Sequence, residues 1–178
     1  MHGIVSILNE PHHEKVLLLW RQMKQQFGVG RPEATAVPHL SYYMTPTYDL
    51  VAVKQILQET AVSIRPFTVK TEGIGIFPSE KPVIYIPVTR NPALTALHQH
   101  LWRQLANAAQ DALDYYTPAN WFPHITLGHG DITTENLGDI VTWLNSQPLA
   151  WNLEIDNLDM LHDDGSRHIP FHQVKLQK

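Results

Sequence analysis

The feature that most constrains this chain is an order of strands and helices that runs through twice. Apolar periodicity predicts a strand over residues 3–8 and a helix over 11–27, in which Val16, Leu17, Leu19, Trp20 and Met23 recur at helical spacing. The segment Gly28-Val-Gly-Arg-Pro32 ends that helix. A strand over 38–44, a helix over 49–61 capped by Asp49 or Thr47, and a strand over 67–77 complete the first half. Pro78-Ser-Glu-Lys-Pro82 breaks the chain as a turn. The second half repeats the order: strand 83–88, helix 92–113, strand 122–128, helix 134–144 and strand 151–161. The turn Asp163-Asp-Gly165 then leads into a last strand over 168–176. One domain with pseudo-repeats at about 1–78 and 82–178, related by a pseudo-two-fold, is the expected organisation.

Both second strands open on the same pattern, Pro38-His39-Leu40-Ser41 and Pro123-His124-Ile125-Thr126. His-x-Ser/Thr alone is expected about once by chance in this composition; adding the proline and the aliphatic residue lowers the expectation to roughly 0.02. Residues i and i+2 of a strand share a face, so His39 emerges with Ser41 and His124 with Thr126, while Leu40, Ile125 and Leu127 face a core. A pseudo-two-fold then sets four polar groups across one cleft. Displacement at phosphorus needs one group to accept a proton from the attacking oxygen and another to give one to the leaving oxygen. Imidazole does either near neutral pH, and the hydroxyls would bond the phosphoryl oxygens.

Composition narrows the alternatives. The chain of 178 residues is 43% hydrophobic and 17% charged, ordinary for a globular protein. The absence of cysteine removes thiol nucleophiles and thiolate zinc sites, and fits a cytoplasmic setting. The apolar run 3–8 is too short for a membrane span. A net charge of −4 gives no cationic field for a long duplex, so a nucleic-acid partner is expected to be short. Arg65, Lys70, Arg90, Arg103 and Arg167 are the candidates for a local cluster that binds one or two phosphates.

The two motifs and the repeated order resemble the 2H phosphoesterase superfamily, specifically the 2'-5' RNA ligase and cyclic phosphodiesterase-like group, over nearly the whole chain. The resemblance implies a duplicated, bilobal α+β fold in which two antiparallel-rich sheets line a central cleft with helices outside. It implies that His39 and His124 are catalytic and that Ser41 and Thr126 bind phosphate. It also implies opening of 2',3'-cyclic phosphates, or cleavage and joining of 2'-5' linkages, by a monomer that requires neither metal nor cofactor. The stretch Gly73-Ile-Gly-Ile-Phe77-Pro78 is similar to a strand end common in the group. Ser41 stands where threonine is commoner, and His129 where many bacterial ligase-like members carry arginine.

Four further residues are candidates for substrate contacts. Tyr43 continues the His39 and Ser41 face by alternation, Phe77 offers a ring to a base, Arg90 ends a strand, and His129 follows the second motif. Metal binding is disfavoured: His98 and His100 point about 200° apart on a helix, His12 and His13 are adjacent, and His162, His168 and His172 flank a polar hairpin. The rival reading is a non-catalytic module that binds RNA ends or nucleotides in the same cleft.

Overall fold

A computed structural model describes residues 1–30, 37–163 and 168–177. Arg31, Pro32, Asp164, Gly165 and Arg167, named above in the helix end, the hairpin turn and the cationic cluster, lie outside the described residues. The architecture is α+β. In chain order it runs β1 (His2–Ile7), α1 (His12–Phe27), β2 (His39–Thr45), β3 (Thr47–Tyr48), α2 (Leu50–Ser63), β4 (Phe67–Thr71), β5 (Gly75–Phe77) and β6 (Val83–Pro87). There follow α3 (Pro92–Leu105), β7 (Ala109–Gln110), a 3-10 turn (Asp114–Tyr116), β8 (His124–Gly128), α4 (Thr134–Asn145), β9 (Trp151–Ile155), β10 (Asn157–Asp163), β11 (His168–Pro170) and β12 (Val174–Lys175).

Among the described residues two larger antiparallel sheets form, with the two-stranded ladders β3–β7 and β4–β9 beside them. In the first, β1 lies between β10 and β2, and β10 also pairs with β11 and β12. In the second, β6 lies between β5 and β8. The β4–β9 pair joins β6 through a bridge between Thr71 and Val88 and the Thr89 N–H bond to the Lys70 carbonyl at 2.8 Å. The lobes do not coincide with the sequence halves. Strands β4 and β5 belong to the second sheet and β10 to the first, while α1 packs on β8 and α3 on β2. Each lobe is built from both halves, and one core runs through both, from Ile4, Met23 and Leu40 to Ile86, Leu101 and Ile125, all buried.

Three predicted strands are split. β4 stops at Thr71 and Gly73, at φ 68°, turns the chain into β5, Asp156 separates β9 from β10, and the final strand divides into β11 and β12. Helix α3 stops at Leu105, short of the expected 113, although the alanines that follow favour helix. Tertiary pairing overrides that propensity. Ala109 and Gln110 form a ladder with Tyr48 and Thr47, the Ala108 carbonyl accepts from the Asp49 N–H at 2.8 Å, and Asp111 turns the chain at φ 54°. Helix α2 starts where Asp49 accepts from the amides of Val51 and Ala52, and α3 where Asn91 accepts from Leu94.

Candidate active site

The motif strands β2 and β8 are edge strands of their sheets, each paired on one side only, and they face one another across a cleft. Their local structures correspond position by position. Ile7 pairs with His39 and Pro87 with His124, and the carbonyls of Pro38 and Pro123 each accept a backbone bond at 3.0 Å, from Leu8 and Val88. A bulge follows at the same place in both ladders. Val5 opposes Ser41 and Ile4 opposes Tyr43, so Tyr42 is the extra residue on β2. Tyr85 opposes Thr126 and Ile84 opposes Gly128, so Leu127 is the extra residue on β8.

A bulge shifts the side-chain alternation by one, and this corrects the placement of Tyr43. Tyr43 is 2% exposed, in the core beside the Trp102 ring at 5.0 Å, with burial raising its hydroxyl pKa. Met44 takes the position on the cleft face, and His129, five residues after His124 as Met44 is after His39, takes the equivalent one on the other wall. A cavity of about 140 Å³ lies between them, lined by Trp20, His39, Ser41, Met44, Tyr116, His124, Thr126 and His129. The structure thus brings together both motif histidines, both motif hydroxyls and His129.

Each motif ring is oriented in the same way. The Nδ1–H of His39 donates to the Val37 carbonyl at 2.9 Å and that of His124 to the Phe122 carbonyl at 2.7 Å, because a carbonyl can only accept. Nε2 is left as the nitrogen with which each ring can exchange a proton. Burial pushes the His39 pKa down to about 4, partly offset by the bond to Val37, with further lowering by the His124 and His168 rings. Burial also lowers His124, against the bond to Phe122.

Two indoles hold the motif backbones. The edge carbonyl of Ser41 accepts from Trp121 Nε1 at 2.9 Å, and that of Thr126 from Trp20 Nε1 at 3.2 Å. Sequence reading placed Trp20 only in the core and passed over Trp121 and Tyr116. The signal for the latter pair was the aromatic run from Tyr115 to Phe122, directly before the second motif.

Beside His124 the cleft widens into a recess of about 740 Å³, whose wall is formed by Phe77, Tyr115, Trp121 and Phe122. Phe77 stacks on Tyr85 at 4.1 Å and meets the His124 ring edge-on at 5.0 Å. A Cβ at Gly75 would fall 2.4 Å from the Tyr85 ring, so the second glycine of the strand-end motif makes room for that stack. Tyr115 is 77% exposed.

The remaining expectations are placed elsewhere. Arg90 does not reach either cavity: its guanidinium donates to the carbonyls of Trp121 and Pro118 and lies over the Trp121 ring. Arg65, Lys70 and Arg103 are exposed and line neither cavity. The phosphate cluster expected of these cations is therefore not formed at the cleft by the described residues. Among the described residues no group of three His, Asp or Glu side chains is arranged to hold a metal ion, and no helix is long and apolar enough to cross a membrane.

Solved structures share this architecture. The TT0787 protein of Thermus thermophilus matches with a TM-score of 0.69 at 13% identity, covering 98% of this chain and 97% of that one. A crystal structure described as a phosphoesterase matches at 0.61 and 16% identity, covering 99% and 98%. E. coli LigT, solved in complex with 3'-AMP, matches at 0.58 and 18% identity, covering 99% of both chains. No curated protein sequence matches the chain. The family model of the 2'-5' RNA ligase superfamily matches residues 10–167, and by that match over most of its length the chain belongs to this superfamily.

Proposed function

We propose that the protein is a metal-independent phosphoesterase that opens nucleoside 2',3'-cyclic phosphates or cleaves and joins 2'-5' linkages in short RNA. His39 and His124 are its acid-base pair, and Ser41 and Thr126 its phosphoryl ligands. The observation that carries this reading is one cavity that both motif rings line, each with its Nδ1 tied to the backbone and so its Nε2 available for proton transfer. In the hydrolytic direction the ring that is harder to protonate, His39, takes a proton from water as the water oxygen attacks phosphorus. The bond from phosphorus to one ribose oxygen breaks, and imidazolium His124 gives its Nε2 proton to that oxygen. Water has been added, the two rings have exchanged protonation states, and solvent restores them. In the joining direction the roles reverse.

The aromatic recess beside His124 supports a nucleoside on the leaving-oxygen side. Its volume lies within the range of small-molecule sites, and Phe77, Phe122 and Tyr115 offer faces on which a base stacks. The E. coli relative that was solved with 3'-AMP lends support to a nucleotide ligand.

The test is hydrolysis of 2',3'-cyclic nucleotides with and without EDTA. Turnover that survives chelation and falls about 10²- to 10⁴-fold in each of His39→Ala and His124→Ala is expected. Nucleotide binding by all three proteins without turnover would establish the non-catalytic module instead, and loss on chelation a metallohydrolase.

A further inference from the structure

Outside the cavity, one buried titratable side chain touches two of the residues that hold the first motif. His98, on α3, is 0% exposed. Its ring lies parallel to the Trp121 indole, with centroids 3.9 Å apart and planes within 1°. Its Nε2–H donates to the Tyr116 carbonyl at 3.0 Å, while the buried Nδ1 makes no well-formed hydrogen bond and interacts only weakly with the Tyr42 backbone on β2. Trp121 in turn donates to the Ser41 carbonyl, and Tyr116, its phenol pKa raised by burial and held back by the polar Ser41 side chain, lines the same cavity as Ser41. Two branches thus leave one imidazole and meet at the same residue, one at its backbone carbonyl and one at the cavity wall beside its side chain.

We infer that His98 is a positioning residue for Ser41, setting the hydroxyl of the first motif through Trp121 and Tyr116. Packing alone does not account for the arrangement. An apolar side chain in this place would fill the core without burying two ring nitrogens, whereas the parallel stack fixes the plane of an indole whose N–H must point at one carbonyl. The Nε2 bond fixes the loop 114–121 that carries Tyr116 into the cavity wall. Arg90 also lies over Trp121, its guanidinium 5.7 Å from the ring centroid. Among the described residues no histidine stacks on the indole that serves the second motif: Trp20 reaches Thr126 from α1. A histidine outside both motifs therefore governs one half of the phosphoryl site.

The inference rests on the proposed reaction for its kinetic consequence, but not for its structural one. Indole N–H exchange in 15N-labelled protein separates the two. In His98→Leu the Trp121 indole proton should exchange at least tenfold faster than in the native protein. The Trp20 indole proton, whose helix and acceptor are untouched, serves as the internal control and should not change. In the kinetic arm, His98→Leu lowers kcat about tenfold with less than a threefold change in KM, and His98→Phe, which keeps the stack but not the Nε2 bond, falls between. In a Ser41→Ala background the His98 substitutions have no further effect on kcat. Additive losses in the double variants, or Trp121 and Trp20 protons that respond alike, would reduce His98 to a packing residue. If the native protein turns over no substrate while the Trp121 proton responds alone, the reaction assignment fails and the positioning role stands.

Discussion

His39 and His124 each commit one ring nitrogen to a backbone carbonyl two residues earlier, and that fixes how the pair can work. With Nδ1–H donating, a neutral ring presents a lone pair at Nε2 and serves as a base; to serve as an acid the ring must be the imidazolium. The proposed hydrolysis needs His39 neutral and His124 charged in the free protein. His39 is held down to about 4 and His124 below its ordinary 6.5 by burial, so kcat/KM should be bell-shaped with its maximum between those values. A phosphodiester anion in the cavity favours both charged rings, so the kcat profile should lie at higher pH than that of kcat/KM. A kcat/KM optimum above pH 7 would contradict the assignment. His98 has a separate effect, on stability. Burial first, with Arg90 also opposing the charge, lowers its pKa to about 4, against backbone bonding that raises it. The unfolded chain takes up the proton near 6.5 and the folded chain does not. Folding stability is therefore full above that pH and declines as pH falls toward 4, by at most roughly 3 kcal/mol. Urea midpoints measured from pH 7 to 4 should show a shallower decline in His98→Phe than in the native protein.

At the scale of elements, the bulges in β2 and β8 decide which side chains face the cleft. Alternation from His39 carries as far as Ser41 and then fails, because Tyr42 has no place in the β1 register and the next residues change faces. Tyr43→Ala should therefore act on stability, costing about 3–5 kcal/mol in urea denaturation as for a large buried ring, and leave KM within a few-fold of native. A large rise in KM at unchanged stability would put Tyr43 back in the cleft. Gly75→Ala should have the opposite balance. A methyl 2.4 Å from Tyr85 displaces the stack under Phe77, costs about 1–3 kcal/mol, and weakens nucleotide binding measured by calorimetry. What was legible in the sequence follows the same division. The motif residues could be paired because strand alternation acts over short stretches and the same four-residue pattern occurs at both places. The bulges could not be seen, since an unpaired residue is defined by its partner strand. The end of α3 was missed because pairing with β3, far away in the chain, outweighs local helix preference. Trp121 and Tyr116 gain their meaning only when β2 lies against them.

For the whole molecule, the crossing of β4, β5 and β10 between lobes places a site between two sheets that neither half of the chain can build alone. The same arrangement determines how much of a polynucleotide the site can hold. The net charge is −4, and among the described residues no lysine or arginine lines either the small cavity or the recess beside His124. A polyanion that tracked along such a surface would meet aromatic rings and imidazoles, with little counterion release to favour the contact. Under the proposed function, recognition is then confined to one phosphoryl group and the nucleoside next to it. Two measurements follow from that. The apparent affinity, taken as 1/KM, should fall with salt at a logarithmic slope of about −0.7 or shallower, the value for a single phosphate contact on a single strand. A 2',3'-cyclic mononucleotide and an RNA of a dozen residues ending in the same nucleotide should also have kcat/KM values within a few-fold of each other. A steep salt slope together with a preference for the longer RNA would require a cationic track that these residues do not provide, and would overturn the confinement of recognition to the end.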